Sequence, residues 1–395
     1  MLKKIYGPWM KSIPFLVILG AVSPVQGAHA ASPSSGKIVP AELPKQCLSL
    51  AENRFSMVAH GKNLIILDKE NGRIGTFSQE NGSLLRSITP TGKPIGMKIS
   101  QDGKFLYLIE SVYEAPILNI INSTSLKTIS QERLNMDVGG FFPSSDGTGL
   151  VIYSASRGNF VRYDLTTHKS TLLLSDDEPV YSAIADISKD AFIVSFTSGR
   201  TLEVNSGRPK IVEIQGEKSQ RFFSQSFASS EDKLLGISAK GVVIRDSASP
   251  DKVLSHFDFG GGMDGINLED GTISKSGKYS VLEGFISFGM TVGNGTSDEQ
   301  STELLHIPGG IFLMKTTRHG NQIVLPIGVG ISPISNSLIS EDGENAFIIV
   351  YDDIKNEPTL VSINLATENI VRETGLEDFM KPRNRNSIVY EYCFP

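Results

Sequence analysis

The chain reads as an all-β protein: a seven-bladed β-propeller of four-stranded antiparallel blades, its ring closed by the N- and C-terminal segments. Three observations predict this. A turn signature, clearest at Ser100-Gln101-Asp102-Gly103-Lys104, returns at Ser144, Ser188, Ser230 and Ser274 at intervals of 44, 44, 42 and 44 residues. It returns once more at Ser340-Glu341-Asp342-Gly343 after 66 residues, and a degenerate copy, His60-Gly61-Lys62-Asn63, lies 42 residues before the first. Short apolar runs flank each turn, and no amphipathic helix longer than about two turns interrupts them. A period of 40–45 residues with strands on both sides of a tight turn belongs to propeller blades, and seven turns predict seven blades.

The elements follow in chain order. Lys3, Lys4 and Lys11 precede an apolar run from Ser12 to Val22, and Ala28-His29-Ala30 is a small-x-small cleavage site. Residues 1–30 are therefore expected to be a secretory signal peptide cleaved after Ala30, which makes the mature chain periplasmic or secreted. Residues 31–45, rich in Pro, Ser and Gly, read as a linker, and 46–395 as a single propeller domain with an insertion around 283–312.

The second repeat shows the blade grammar best. Ile95 to Ser100 is an inner strand, Asp102-Gly103 the turn, Phe105 to Ile109 a buried strand, Pro116 to Ile121 a third strand, and Leu126 to Ser130 the outer one. Asp164-Leu-Thr-Thr and Asn364-Leu-Ala-Thr cap the turn after the third strand through side-chain to backbone bonds. Near the end, Ser387 to Tyr392 reads as one further strand, expected to complete the first blade and remove an exposed edge.

Gly92-Lys93-Pro94-Ile95-Gly96-Met97-Lys98-Ile99-Ser100-Gln101-Asp102-Gly103-Lys104 resembles the repeat line of YVTN-type bacterial propellers. That group includes lactonase-like proteins and the heavy chains of amine dehydrogenases. The tetrapeptide itself is degraded here to Tyr107-Leu108-Ile109-Glu110. The resemblance implies the fold, and it raises two activities for consideration: a lactonase-like hydrolase, or a subunit of an amine or alcohol dehydrogenase complex that carries no cofactor itself.

Composition narrows the partners. Without residues 1–30 the chain has 34 basic and 43 acidic side chains, a net charge of −9. That weighs against nucleic acid and anionic membrane surfaces. No later stretch is apolar enough to span a membrane. The two cysteines, Cys47 and Cys393, lie near the two ends of an exported chain and are expected to form a disulfide.

Chemistry is sparsely signalled. There is no G-x-S-x-G, H-E-x-x-H, phosphate-binding Gly-Lys loop or C-x-x-C-H, so neither a cofactor nor a metal is expected. The aspartates of the Ser-x-Asp-Gly repeats read as turn residues rather than ligands. The repeat pattern breaks only between Gly260 and Gly310. There Asp264, Glu283 and His306 are the candidate binding residues, able to serve as acid, base or ligand if the fold brings them together. The function expected is a protein-binding or scaffold module, with the two resemblance-based activities as one alternative and a ligand or metal sensor built on residues 260–310 as the other. Missing catalytic signatures leave enzymatic activity open and weigh towards binding.

Overall fold

In the computed structural model, residues 54–380 are described, apart from 113–114, 145, 155, 187–189, 206–210, 215–225, 231, 239–240, 251, 259–264, 293–300, 317–321, 330–331 and 353–356. Seven antiparallel sheets, each formed by consecutive strands, follow one another along the chain. The sheets occupy residues 55–88, 93–133, 140–174, 180–213, 226–258, 265–329 and 332–375. The fold is a seven-bladed β-propeller.

The turn chemistry explains why the repeat works. In blade two the buried Ser100 hydroxyl accepts the N–H of Phe105 at 2.9 Å and donates to Asp102 Oδ1 at 2.7 Å. Asp102 Oδ1 in turn accepts the N–H of Lys104 at 3.1 Å. Gly103 closes the turn at φ 72°, in the left-handed region that glycine enters without a steric cost. Ser144 with Asp146 and Ser340 with Asp342 repeat these bonds. The aspartates are turn residues, spent on backbone N–H groups. The capped third-strand turns form as well: Asp164 Oδ1 accepts from Thr166 and Thr167, and Asn364 Oδ1 from Ala366 and Thr367.

The apolar core is divided among the gaps between blades. Val58, Ile65 and Leu67 of blade one meet Met97, Leu106 and Leu108 of blade two, and similar clusters fill each later gap. The seventh gap closes the ring, packing Phe55, Leu64 and Phe77 of blade one against Phe347, Ile349 and Leu360 of blade seven. Each blade buries both faces only because it has two neighbours, so the cores stabilise the ring cooperatively.

Closure relies on two devices. All four strands of blade one come from residues 55–88, and the expected extra strand Ser387 to Tyr392 lies outside the described residues, as do Cys47 and Cys393. The first device is the short helix Glu377–Met380, which follows blade seven and packs on blade one. Its Phe379 meets Phe77 edge-on, ring centroids 5.2 Å apart, and Arg73 Nη1 donates to the Phe379 carbonyl at 2.6 Å. The second device is the split inner strand of blade seven, Ser332–Pro333 and Leu338–Ile339, both paired with Asn345–Asp352. In the interruption, Phe55 N–H of blade one donates to the Ile334 carbonyl at 3.1 Å, and the fully buried Ser335 hydroxyl accepts the N–H of Ile349 at 2.9 Å.

Candidate functional site

Blade six departs from its siblings. Its second and third strands, Tyr279–Val292 and Ser301–Thr316, have 14 and 16 residues, and both fall in the long interval between the Ser274 and Ser340 turns. The inner strand Gly265–Ile273 covers the second strand only as far as Ser287. The outer strand Gln322–Val329 covers the third only from Gly310 to Thr316. Beyond those limits the two strands continue as a ribbon, from Phe288 paired with Leu305 to Val292 paired with Ser301. Five further pairs at a rise of about 3.3 Å extend it by about 17 Å. The second strand leaves the Ser274 turn and runs towards the ribbon. The arm therefore rises from the face opposite the Ser-x-Asp-Gly turns, the face that also carries the loops between blades.

The sequence candidates fall on and beside this arm. Glu283 lies at its root, 5% exposed, and its Oε1 accepts the backbone N–H of Ser337 in the interrupted inner strand of blade seven. His306 is opposite Ser287, four residues further along the ribbon than Glu283, or about 13 Å of strand. Asp264 lies outside the described residues.

Around Glu283 the structure assembles groups that the sequence pattern did not single out. Asp270, on the inner strand of blade six, is in register with Glu283 and accepts the Asn336 side-chain amide at 2.5 Å through Oδ2. Its Oδ1 accepts the N–H of Gly271 at 2.8 Å. Residues 334–337 thus bind three elements at once. Ile334 holds blade one, Ser335 holds its own blade, and Asn336 and Ser337 hold blade six.

Lys98 completes the picture. It sits on the inner strand of blade two, Lys93–Ile99, as Asp270 sits on the inner strand of blade six. Its side chain is exposed. Desolvation by the surrounding protein lowers its pKa below the ordinary lysine value, and the Asp270 carboxylate opposes that shift. A signal for Asp270 and Asn336 exists in the repeat. The position four before the turn serine is Gly96, Gly140, Ile184 and Ser226 in blades two to five, then Asp270 and Asn336. Reading the register of inner strands, rather than the break in the pattern, would have found it.

Blade two carries a second buried carboxylate. Glu110, 1% exposed, accepts from Asn119 Nδ2 at 3.0 Å and Thr91 Oγ1 at 3.3 Å, and Gln131 donates to Asn119 Oδ1 at 2.6 Å. This polar ladder ties three strands of one blade together. Among the described residues no His, Cys, Asp and Glu side chains group as a metal site, and no helix is long and apolar enough to cross a membrane.

Comparison with known proteins agrees with the fold. A protein of unknown function from Desulfotomaculum acetoxidans superposes with a TM-score of 0.55 at 11% identity, over 79% of this chain and 95% of that one. The dihydro-heme d1 dehydrogenase NirN in complex with DHE superposes with a TM-score of 0.47 at 14% identity, over 82% of this chain and 75% of that one. A segment of 92 residues is 32% identical to Tricorn protease of Thermoplasma volcanium. It covers 23% of this chain and 9% of that protein, so the chain spans about a tenth of the length of this curated relative. No family profile matches the chain.

Proposed function

We propose that the protein is an exported YVTN-type propeller that serves as a protein-binding or scaffold module and engages its partner through the arm of blade six. The observation that carries this reading is the ribbon itself. Among the described strands, residues 288–292 have no neighbour on the inner side and 301–309 none on the outer side. Unpaired edges recruit a further strand, and natural proteins cover or blunt them unless they are used. The ribbon sequence adds Phe288, Met290, Val292, Leu304 and Leu305, an apolar content that suits a covered surface. A rigid ring that presents one long arm on the loop face is built for docking.

The export part of the reading rests on residues 1–30. Sequencing the N-terminus of protein recovered from the cell envelope or medium should begin at Ala31. The docking part is tested by native co-purification of the wild type beside a variant in which 288–305 is replaced by a two-residue turn. A stoichiometric partner lost from the variant, with the unfolding midpoint unchanged, supports the reading. A wild type that stays monomeric without a partner, or a partner equally retained by the variant, overturns it.

A further inference from the structure

The first blade breaks the turn signature, and the break leaves a hollow. In blade one His60 pairs with Asn63, so Gly61 and Lys62 alone form the turn. The blades on either side use longer turns: 101–104 lie between the bonded Ser100 and Phe105, and 341–344 between Ser340 and Asn345. Beside the shorter turn a cavity of about 320 Å³ opens to solvent, walled by Val58, Ala59, Ile99, Leu338 and Ile339 with Glu341 at its edge. The aliphatic walls come from the turn-side parts of the inner strands of blades one, two and seven. The cavity therefore spans the seam where the last blade meets the first, on the face opposite the arm.

Aliphatic surface left open to water favours an apolar guest. Small-molecule sites run from about 300 to about 1,000 Å³, so this cavity is at the lower limit and suits a single anchoring side chain. Glu341 sets the sign of what lies beside that anchor. Its carboxylate makes no hydrogen bond or ion pair among the described residues, whereas Asp102 and Asp342 on the flanking turns are spent on backbone N–H groups. An exposed charge contributes little energy, but it attracts a cation and repels an anion. We propose that the cavity receives an aliphatic side chain of a partner polypeptide whose neighbouring residues are basic. The site rests on the reading of the protein as a docking module and not on the arm, so a variant that lacks the arm keeps it.

The probes are the capped tripeptides Lys-Leu-Lys, Lys-Ser-Lys and Glu-Leu-Glu, titrated against the full mature protein by ligand-observed NMR. Lys-Leu-Lys should bind at least about tenfold more tightly than Lys-Ser-Lys, which has no aliphatic anchor. It should bind at least about threefold more tightly than Glu-Leu-Glu, a margin that suits one exposed charge. Ala59→Leu fills the cavity and should weaken Lys-Leu-Lys by at least about tenfold. Glu341→Lys should reverse the preference between the two leucine peptides with the unfolding midpoint unchanged, and this exposed position keeps the test decisive if Ala59→Leu fails to fold. The variant with 288–305 replaced by a turn should bind Lys-Leu-Lys as the wild type does. No binding of Lys-Leu-Lys, equal binding of all three peptides, binding unaltered in folded Ala59→Leu, or an unchanged preference in Glu341→Lys would each overturn the proposal. Loss of binding with the arm would assign the peptide to the arm, and self-association abolished by Ala59→Leu would assign the cavity to a second copy of the chain; both overturn it.

Discussion

The Glu283 carboxylate accepts the backbone N–H of Ser337, joining the root of the blade-six arm to the interruption in the inner strand of blade seven. Both residues are buried, at 5% and 9% exposure, so the N–H has no water to turn to. The arm and the ring seam are thereby mechanically connected through one charge-assisted hydrogen bond.

Removing that acceptor should cost more than neutralising it. Glu283→Ala strands a buried N–H and should destabilise the protein by about 1–3 kcal/mol, whereas Glu283→Gln keeps an oxygen in place and should cost less. Urea unfolding of the two variants measures the difference, and equal losses would show that the bond contributes nothing specific.

The C-terminal helix should act as a clasp. Phe379 is 1% exposed, stacks edge-on with Phe77 and lies under the Arg73 guanidinium. Phe379→Ala should cost about 3–5 kcal/mol by transfer and cavity terms. Phe379→Leu should cost about 1.5 kcal/mol or less. Denaturant titration reads both, and an alanine variant as stable as wild type would mean that the ring closes without the clasp.

Two turn glycines offer a matched pair. Gly103 and Gly147 have φ of 72° and 69°, but a Cβ at 103 would lie 2.2 Å from the His60 ring while one at 147 would meet nothing within 4 Å. Gly147→Ala should cost about 1–2 kcal/mol, the left-handed penalty alone. Gly103→Ala should cost more, and placing it in a His60→Ala background should bring it down to the Gly147→Ala value. A double-mutant cycle detects this coupling, and additive effects would refute the clash.

Acid should loosen the turns in a defined window. The Ser100 hydroxyl, with the N–H of Lys104, holds Asp102 at about 2, and the Ser340 hydroxyl lowers Asp342 in the same way. A carboxyl whose folded pKa lies below its unfolded value of about 3.9 stabilises the fold above that value and stops doing so as pH falls through the folded pKa. Stability against urea should therefore hold from neutral pH to about 4 and decline between about 4 and about 2. Asp102→Asn with Asp342→Asn should make that decline shallower. An unchanged slope would mean that other carboxylates govern acid unfolding.

Much of the fold was legible because a turn is a local object. Ser100, Asp102 and Gly103 bond within five residues of one another, so their chemistry repeats wherever the sequence repeats. The number of blades and the assignment of the aspartates to turns followed from that alone. The site was less legible. Glu283 was visible as an acid where the pattern breaks, but its partner Ser337 lies 54 residues away. Asp270 and Asn336 stand 66 residues apart and meet only because successive blades pack side by side.

The amino-acid sequence by itself determined the repeat, the strands and the turns, because each depends on bonds between near neighbours and on the alternation of buried side chains. The tertiary structure decided which groups meet between blades, where the arm leaves the ring, and how the last blade meets the first. Those relationships depend on the angle between successive blades, which is set by packing in the gaps between them and summed over the whole circle, and no local pattern records that sum.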